Sequence, residues 1–241
     1  MAETPGHLGR RAAAEAIGTF FLVLIGTGTI IVDDRTGGAA GLVGIALAFA
    51  FVILAMVYAI GHLSGAHINP AVTIGFWSIG RFPGRDAIVY VLAQCAGAVA
   101  ASLLLRALLT PTAVYGQTVP SVATGTAFTI EWLLSFVLMF VVIAVATDER
   151  VAAGVAGLAV GLVVGFDVLM GGPLTGASMN PARSLGPALA GGIWTVHWLY
   201  WIAPITGMIA GAWTYETLRP AKGPRPVSRR DALGVGGPID A

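Results

Sequence analysis

The chain has 241 residues, 56% hydrophobic and only 10% charged, with a formal net charge of +1 and a mean hydropathy of +0.84. A soluble domain carries about 25% charged residues, so this composition excludes an ordinary water-facing globule, and the absence of a basic stripe argues against nucleic acid as a partner. The single cysteine, Cys95, excludes an internal disulfide framework and a cysteine-based metal cluster. Its place inside an apolar run reads as small-residue packing.

In chain order, Arg10 and Arg11 precede the first apolar run, an opening that a signal peptide also uses. Glu15 interrupts the run and no small-residue cleavage site follows, so about 12–32 reads as a first membrane helix. Five further apolar segments lie at about 40–60, 86–107, 125–147, 152–171 and 194–218. Each has roughly 20 residues, which at about 1.5 Å per residue matches a hydrocarbon core of about 30 Å. Polar loops separate them, among them Asp33-Asp34-Arg35, 81–85, 110–124 and Asp148-Glu149-Arg150. Placing both termini in the cytoplasm puts Arg10, Arg11, Arg81, Arg85, Arg150, Arg219, Lys222, Arg225, Arg229 and Arg230 inside, ten of the 13 Lys and Arg residues. That is the positive-inside bias of a multi-pass protein of the cell membrane. Residues 1–9 form a short cytoplasmic N-terminus, and the Pro-, Gly- and Arg-rich tail, 219–241, has the composition of a disordered segment.

Two apolar stretches are too short to span: Asn69–Ser78 and Asn180–Ala190. Each makes a helix of roughly 15 Å, half a bilayer. They sit in duplicated surroundings. Gly61-His-Leu-Ser-Gly-Ala-His-Ile-Asn69-Pro-Ala71 aligns with Gly172-Pro-Leu-Thr-Gly-Ala-Ser-Met-Asn180-Pro-Ala182, identical at seven of 11 positions, with Ser64 facing Thr175 at an eighth. Glu15 and Glu131 stand near the start of the first span of each half, each followed five residues later by Phe. Three spans per half, repeat one about 10–108 and repeat two about 124–218, force the second copy to enter from the opposite face. The fold class expected is therefore all-α and membrane-integral, with six transmembrane helices and two re-entrant half-helices in inverted repeats.

Asn is a favoured N-cap and Pro a favoured first helical residue. Asn69-Pro70-Ala71 and Asn180-Pro181-Ala182 thus start two half-helices that meet N-terminus to N-terminus near the midplane. Each end carries roughly half a positive charge, so the pair repels cations. Each Asn caps with its side-chain oxygen and turns NH2 donors to a lumen, where water is held as an acceptor and a proton-conducting chain is interrupted. Arg183, in the first turn of the second half-helix, is unfavourable for the helix dipole and therefore reads as a functional lumen residue.

Glu15 and Glu131 admit two readings. Intramembrane carboxylates serve as proton relays, or they satisfy backbone N–H groups of the non-helical approach to each half-helix. Their symmetric placement favours the second. Asp167, placed by these boundaries near the extracellular end of the fifth span, either pairs with an Arg or faces a vestibule. His62 and His67 lack a third ligand, so local hydrogen bonding is expected and no metal or other cofactor is implied. Gly157, Gly161 and Gly165, with Gly207 and Gly211, form small-residue stripes for close helix packing.

SGAHINPAVT (Ser64–Thr73) and GASMNPARS (Gly176–Ser184) resemble the signature loops of the aquaporins, the major intrinsic protein family, and the resemblance extends over residues 10–218. Arg-over-Lys usage with abundant Ala and Gly hints at a bacterial member. The resemblance implies an hourglass fold, a homotetramer in the lipid membrane with one pore per subunit, and passage of water and small neutral solutes. It implies that backbone carbonyls of Gly65, Ala66, His67, Ile68, Gly176, Ala177, Ser178 and Met179 line the water file, and that Glu15 and Glu131 are the buried supports. It also places the outer constriction at Phe49, Val168, Ala177 and Arg183. Strict water channels of the family carry His at the position of Val168. The Val here, within GGPLTGASMNPARSLGPAL, resembles glycerol-type and plant nodulin-like channels, whereas Phe49 departs from their usual Trp. The expected activity is a passive channel for water and glycerol-like solutes that excludes protons and ions. A strict water channel and an ion-coupled secondary transporter are the alternatives. A membrane hydrolase built on Ser64 and a nearby His lacks the rest of a catalytic constellation, and no enzyme is expected.

Overall fold

A computed structural model of the chain describes residues 6–219 except 113, 149 and 153. The expected tail from residue 220 onward with its Lys222, Arg225, Arg229 and Arg230, the first five residues, and Glu149 lie outside the described residues. Among the described residues there are eight helices and no strand: α1 (Gly6–Arg35), α2 (Gly41–Ser64), α3 (Pro70–Ser78), α4 (Gly84–Leu109), α5 (Thr124–Thr147), α6 (Ala156–Thr175), α7 (Pro181–Gly191) and α8 (Leu199–Leu218). In hydrocarbon every backbone polar group needs an internal partner, which long helices provide and loops do not. Hydroxyls inside the spans follow the same rule. Thr19, Thr27 and Thr147 donate to the carbonyls of Glu15, Val23 and Ile143 on their own helices.

Helices α1, α2, α4, α5 and α6 are long and apolar enough to cross a membrane. The sixth crossing is α8, whose Tyr, Trp and Glu216 dilute its hydropathy, and it packs on α5 as α4 packs on α1. Large apolar side chains such as Ile17, Phe21, Leu92, Leu108, Leu133 and Leu162 point outward, as a lipid-facing surface requires. Polar groups are turned inward, with Glu15, Asn69, Gln94, Glu131, Asp167, Asn180 and Arg183 all buried.

The duplication organises the packing. Each short helix lies against the last helix of the other half, α3 on α8 and α7 on α4, and α2 meets α6 across the two halves. Glycine permits the closest approaches. A Cβ on Gly97 would lie 2.1 Å from the carbonyl oxygen of Ala16, and one on Gly207 would lie 2.4 Å from that of Trp132. These crossings are copies of each other, since Ala16 and Trp132 each follow a buried Glu. Gly211 meets the Phe136 carbonyl in the same way, and Gly157 and Gly161 meet the carbonyls of Leu54 and Ala50 on α2.

The boundaries differ from the sequence reading in four places: α1 begins at Gly6, six residues earlier than expected and within the expected N-terminal segment 1–9, α2 runs four residues further to Ser64, and α6 and α8 are displaced. The last span begins at Leu199 and not at residue 194, because the segment ahead of it turns, with Val196 at φ 42°. Helix α6 runs from Ala156 to Thr175 through Gly172-Pro173, four residues later at each end than the expected 152–171. Asp167 is consequently interior to the helix and only 1% exposed. It is not in the cavity wall, and among the described residues no ion pair joins it to an Arg and its Oδ2 has no hydrogen-bond partner.

The charged end of the bundle is tied by ion pairs between Arg11 and Asp86 (3.1 Å) and between Arg81 and Glu216 (2.8 Å). Asp148, past the end of α5, is clasped by Arg150 and accepts the Tyr215 hydroxyl. The Arg150 side chain and backbone N–H hold its carboxyl well below the usual range.

Candidate functional site

Each half-helix begins as its residues dictate. Asn69 caps α3, its Oδ1 accepting the Ala71 N–H at 2.9 Å, and Pro70 takes the first helical position. Asn180 caps α7, accepting from Ala182 at 3.0 Å and Arg183 at 3.3 Å, ahead of Pro181. Such a cap contributes about 1 kcal/mol. Ala71 and Ala182 are completely buried. The two ends meet: Asn69 Nδ2 donates to the Met179 carbonyl at 2.8 Å, and Asn180 Nδ2 to the Ile68 carbonyl at 3.0 Å. One donor hydrogen of each amide thus joins the two loops, and one is left for any molecule between them.

The approaches to the caps are bent into a conformation that ordinary residues avoid. Gly65 and Gly176 end α2 and α6 in the left-handed region, and Ala66, Ile68, Ala177 and Met179 follow at φ 48°, 42°, 41° and 50°. Non-glycine residues held there cost on the order of 1–3 kcal/mol each, so something must hold them. In the first loop Glu15 accepts the backbone N–H groups of His67 (3.0 Å) and Ile68 (2.6 Å), the Ser64 hydroxyl (2.7 Å) and the Gln94 amide (2.7 Å). In the second, Glu131 accepts Ser178 N–H (2.8 Å), Met179 N–H (2.9 Å) and the Thr175 hydroxyl (2.7 Å). Ser64 and Thr175 in turn accept the N–H groups of Ala66 and Ala177, both at 3.1 Å. Three consecutive N–H groups per loop are therefore satisfied from behind.

These hydrogen bonds are the ones that the backbone-support reading of the carboxylates requires. They also remove the hydrolase reading, because the Ser64 hydroxyl is committed to Glu15 and not to a histidine. His67 is buried, its Nδ1 3.1 Å from the Thr73 hydroxyl and its ring stacked on Phe76. His62 is exposed at the last turn of α2. Cys95 is a partly buried packing residue on α4.

A cavity with an empty volume of about 820 Å³, its open mouth included, runs along these loops. Its wall contains Phe49, Val168, Ala177 and Arg183, both capping Asn residues, Gly65, Ala66, His67 and Ile68, and Ser178 and Met179. Gly176 packs instead against Thr118. Arg183 is buried, donates from Nη1 to the Gly116 carbonyl at 2.6 Å, and holds its guanidinium carbon 5.1 Å from the Phe49 ring centroid. Its Nε has no protein partner among the described residues. The rest of the wall is apolar, aliphatic residues such as Val57, Val142, Val160 and Val164 together with the Phe76 ring.

Residues 4–215 match the family model described as "Major intrinsic protein". The chain belongs to the major intrinsic protein family. Among its relatives, Aquaporin NIP1-4 of Oryza sativa subsp. japonica is 48% identical over 207 residues, covering 86% of this chain and 76% of the relative. Aquaporin NIP6-1 of Arabidopsis thaliana is 44% identical over 222 residues, covering 92% and 73%. Among solved structures, the aquaglyceroporin from Plasmodium falciparum superposes with a TM-score of 0.79 at 26% identity, covering 88% of this chain and 96% of that one. This major intrinsic protein is a multi-pass membrane protein with the six-plus-two helix arrangement expected of it.

Several residues of the site escaped the sequence reading. Tyr90 and Tyr200 donate to the carbonyls of Ser64 (2.8 Å) and Thr175 (2.6 Å), the last residues of α2 and α6. Their equivalent places in the two halves were a usable signal. Gly116 and Thr118 come from the loop between α4 and α5, where no motif marks them. Thr118 donates to Ser184, which is itself paired with Ser178.

Proposed function

We propose that this major intrinsic protein is a passive channel for water and small uncharged solutes of the glycerol class, excluding protons and other ions. It is a channel and not an enzyme, and selectivity is assigned to two layers. At the midplane, two helix N-termini present roughly half a positive charge each, and Asn69 and Asn180 each retain one amide hydrogen for a passing oxygen. Cations meet an electrostatic barrier there, and water bound as an acceptor cannot relay a proton. Along the approach, with the N–H groups taken by Glu15 and Glu131, the carbonyls of the two loops supply acceptors for hydroxyl groups.

The second layer is the filter of Phe49, Val168, Ala177 and Arg183. The observation that carries the glycerol reading is that two small aliphatic residues, one guanidinium and one aromatic ring all belong to the cavity wall. Arg183 offers donors to solute hydroxyls, and Val168, Ala177 and Phe49 accept the carbon skeleton. A His in place of Val168 adds a polar ring to the narrowest point. The domain bounds 10–218, a homotetramer in the cell membrane and cytoplasmic termini belong to the same proposal. The positive-inside distribution of Arg10, Arg11, Arg81, Arg85 and Arg150 supports the orientation.

Proteoliposomes are expected to swell in a glycerol gradient faster than protein-free vesicles, with no dependence on an imposed proton or sodium gradient. Val168→His is expected to suppress glycerol flux more than water flux. Water flux without any solute flux in the unaltered protein sinks the wide-filter reading, and gradient-dependent uptake sinks the channel reading.

A further inference from the structure

The width of the filter depends on a residue outside it. A Cβ placed on Gly26 of α1 would lie 2.2 Å from Phe49 Cε1, 2.5 Å from Cζ and 2.6 Å from Cδ1, where ordinary contact begins at 3.4 Å. The Phe49 ring thus occupies the space that a side chain at position 26 would fill. The ring also lies beside the Arg183 guanidinium, whose carbon is 5.1 Å from the ring centroid. Phe49 and Arg183 are in the cavity wall and Gly26 is behind it. One turn earlier on the same helix face, Leu22 itself walls the cavity. Helix α1 therefore withdraws from the wall at Gly26, and α2 fills the notch with an aromatic ring.

The second half shows the other solution. The register of Glu15 with Glu131 places Gly26 opposite Val142, and that of Gly61 with Gly172 places Phe49 opposite Val160. Both valines are in the cavity wall. Where the helix behind supplies a β-branched side chain, its partner is short; where it supplies none, its partner is a ring.

We propose that Gly26 is a specificity-determining position of the channel: by seating the Phe49 ring against α1 it sets the free width beside Arg183, and so the largest neutral solute that passes. The inference rests on the filter reading above. An added methyl at position 26 must drive the ring away from α1, and the open side is the cavity.

The test is stopped-flow light scattering of proteoliposomes, in water and in glycerol gradients, normalised to the amount of reconstituted protein. Gly26→Ala is expected to lower glycerol permeability roughly five-fold or more while water changes by less than about two-fold. The double variant Gly26→Ala/Phe49→Ala is expected to return to the level of Phe49→Ala alone, because the displaced ring is gone. An unchanged glycerol-to-water ratio in Gly26→Ala overturns the inference, as does a double variant no better than the single one. If Gly26→Ala passes neither molecule, recovery in the double variant assigns the block to the ring, and failure to recover overturns the inference. Val168→His separates this result from the underlying reading. If it leaves glycerol flux unchanged, the filter assignment falls; if it suppresses glycerol while Gly26→Ala does nothing, only the role of Gly26 falls.

Discussion

Glu15 and Glu131 perform equivalent tasks with unequal support. Glu15 takes a fourth hydrogen bond from Gln94, whereas the corresponding residue of the second half is Pro204, which has no side-chain donor. One oxygen of Glu131 accepts from the Met179 N–H alone among the described residues. The second loop is therefore the more vulnerable. Glu131→Gln turns an NH2 group toward one of two backbone donors, leaving a buried N–H unpaired at a cost of about 1–3 kcal/mol. It is expected to lower the thermal unfolding temperature in detergent, followed by tryptophan fluorescence, and to reduce water permeability with it. Tyr200→Phe, which removes one hydrogen bond to the Thr175 carbonyl, is expected to be milder, about 1 kcal/mol. A Glu131→Gln protein as stable as the unaltered one would mean that the carboxylate does not hold the loop, and a proton-relay role would need to be reconsidered.

At the level of helices, the glycines on α4 and α8 set how closely the two halves are built. Because a Cβ on Gly97 or Gly207 would press on a backbone carbonyl, which cannot rotate away, Gly97→Ala and Gly207→Ala should each separate a helix pair. Gly165→Ala meets only the Ala50 methyl at 3.3 Å. The first two are expected to unfold several degrees lower, on the order of 1–3 kcal/mol for overpacking, and Gly165→Ala to lie much nearer the unaltered protein. Equal melting temperatures across the three would refute the assignment of close crossings to particular glycines. Helix existence and order were legible because apolar length and Asn-Pro starts are local signals, and α3 begins one residue after its capping Asn as those signals require. The start of α8 was not, since Trp194 and Trp198 are apolar letters in a turn. The end of α6 was not legible either: the helix continues through Pro173 to Thr175, so the expected end fell short and Asp167 was misplaced. The loop that brings Gly116 to Arg183 carried no periodicity at all, and only the tertiary structure places its carbonyl at the site.

Over the whole molecule, the internal repeat makes the two ends of the cavity comparable position by position. The repeat places Val160, Val57, Ala66 and Val72 opposite Phe49, Val168, Ala177 and Arg183, and all eight are in the cavity wall. One end therefore has a cation, an aromatic ring and two aliphatic residues, while its copy is wholly aliphatic. The side chains at those four positions offer no hydrogen bond in exchange for a solute's hydration, and none of them is as bulky as Phe49 or Arg183. On the proposed filter, solute choice is made at one end, and equivalent substitutions at the two ends should differ in effect. Val168→His adds a ring beside Phe49 and Arg183 and is expected to lower the glycerol-to-water permeability ratio roughly ten-fold. Val57→His adds the same ring at the repeat-related position, where the counterparts of Phe49 and Arg183 are Val160 and Val72. Its ratio is expected to stay within about two-fold of the unaltered protein. Stopped-flow measurement of both variants in one preparation decides the matter. If Val57→His lowers the ratio as far as Val168→His, selectivity is distributed along the cavity, and the asymmetry that the repeat reveals has no functional weight.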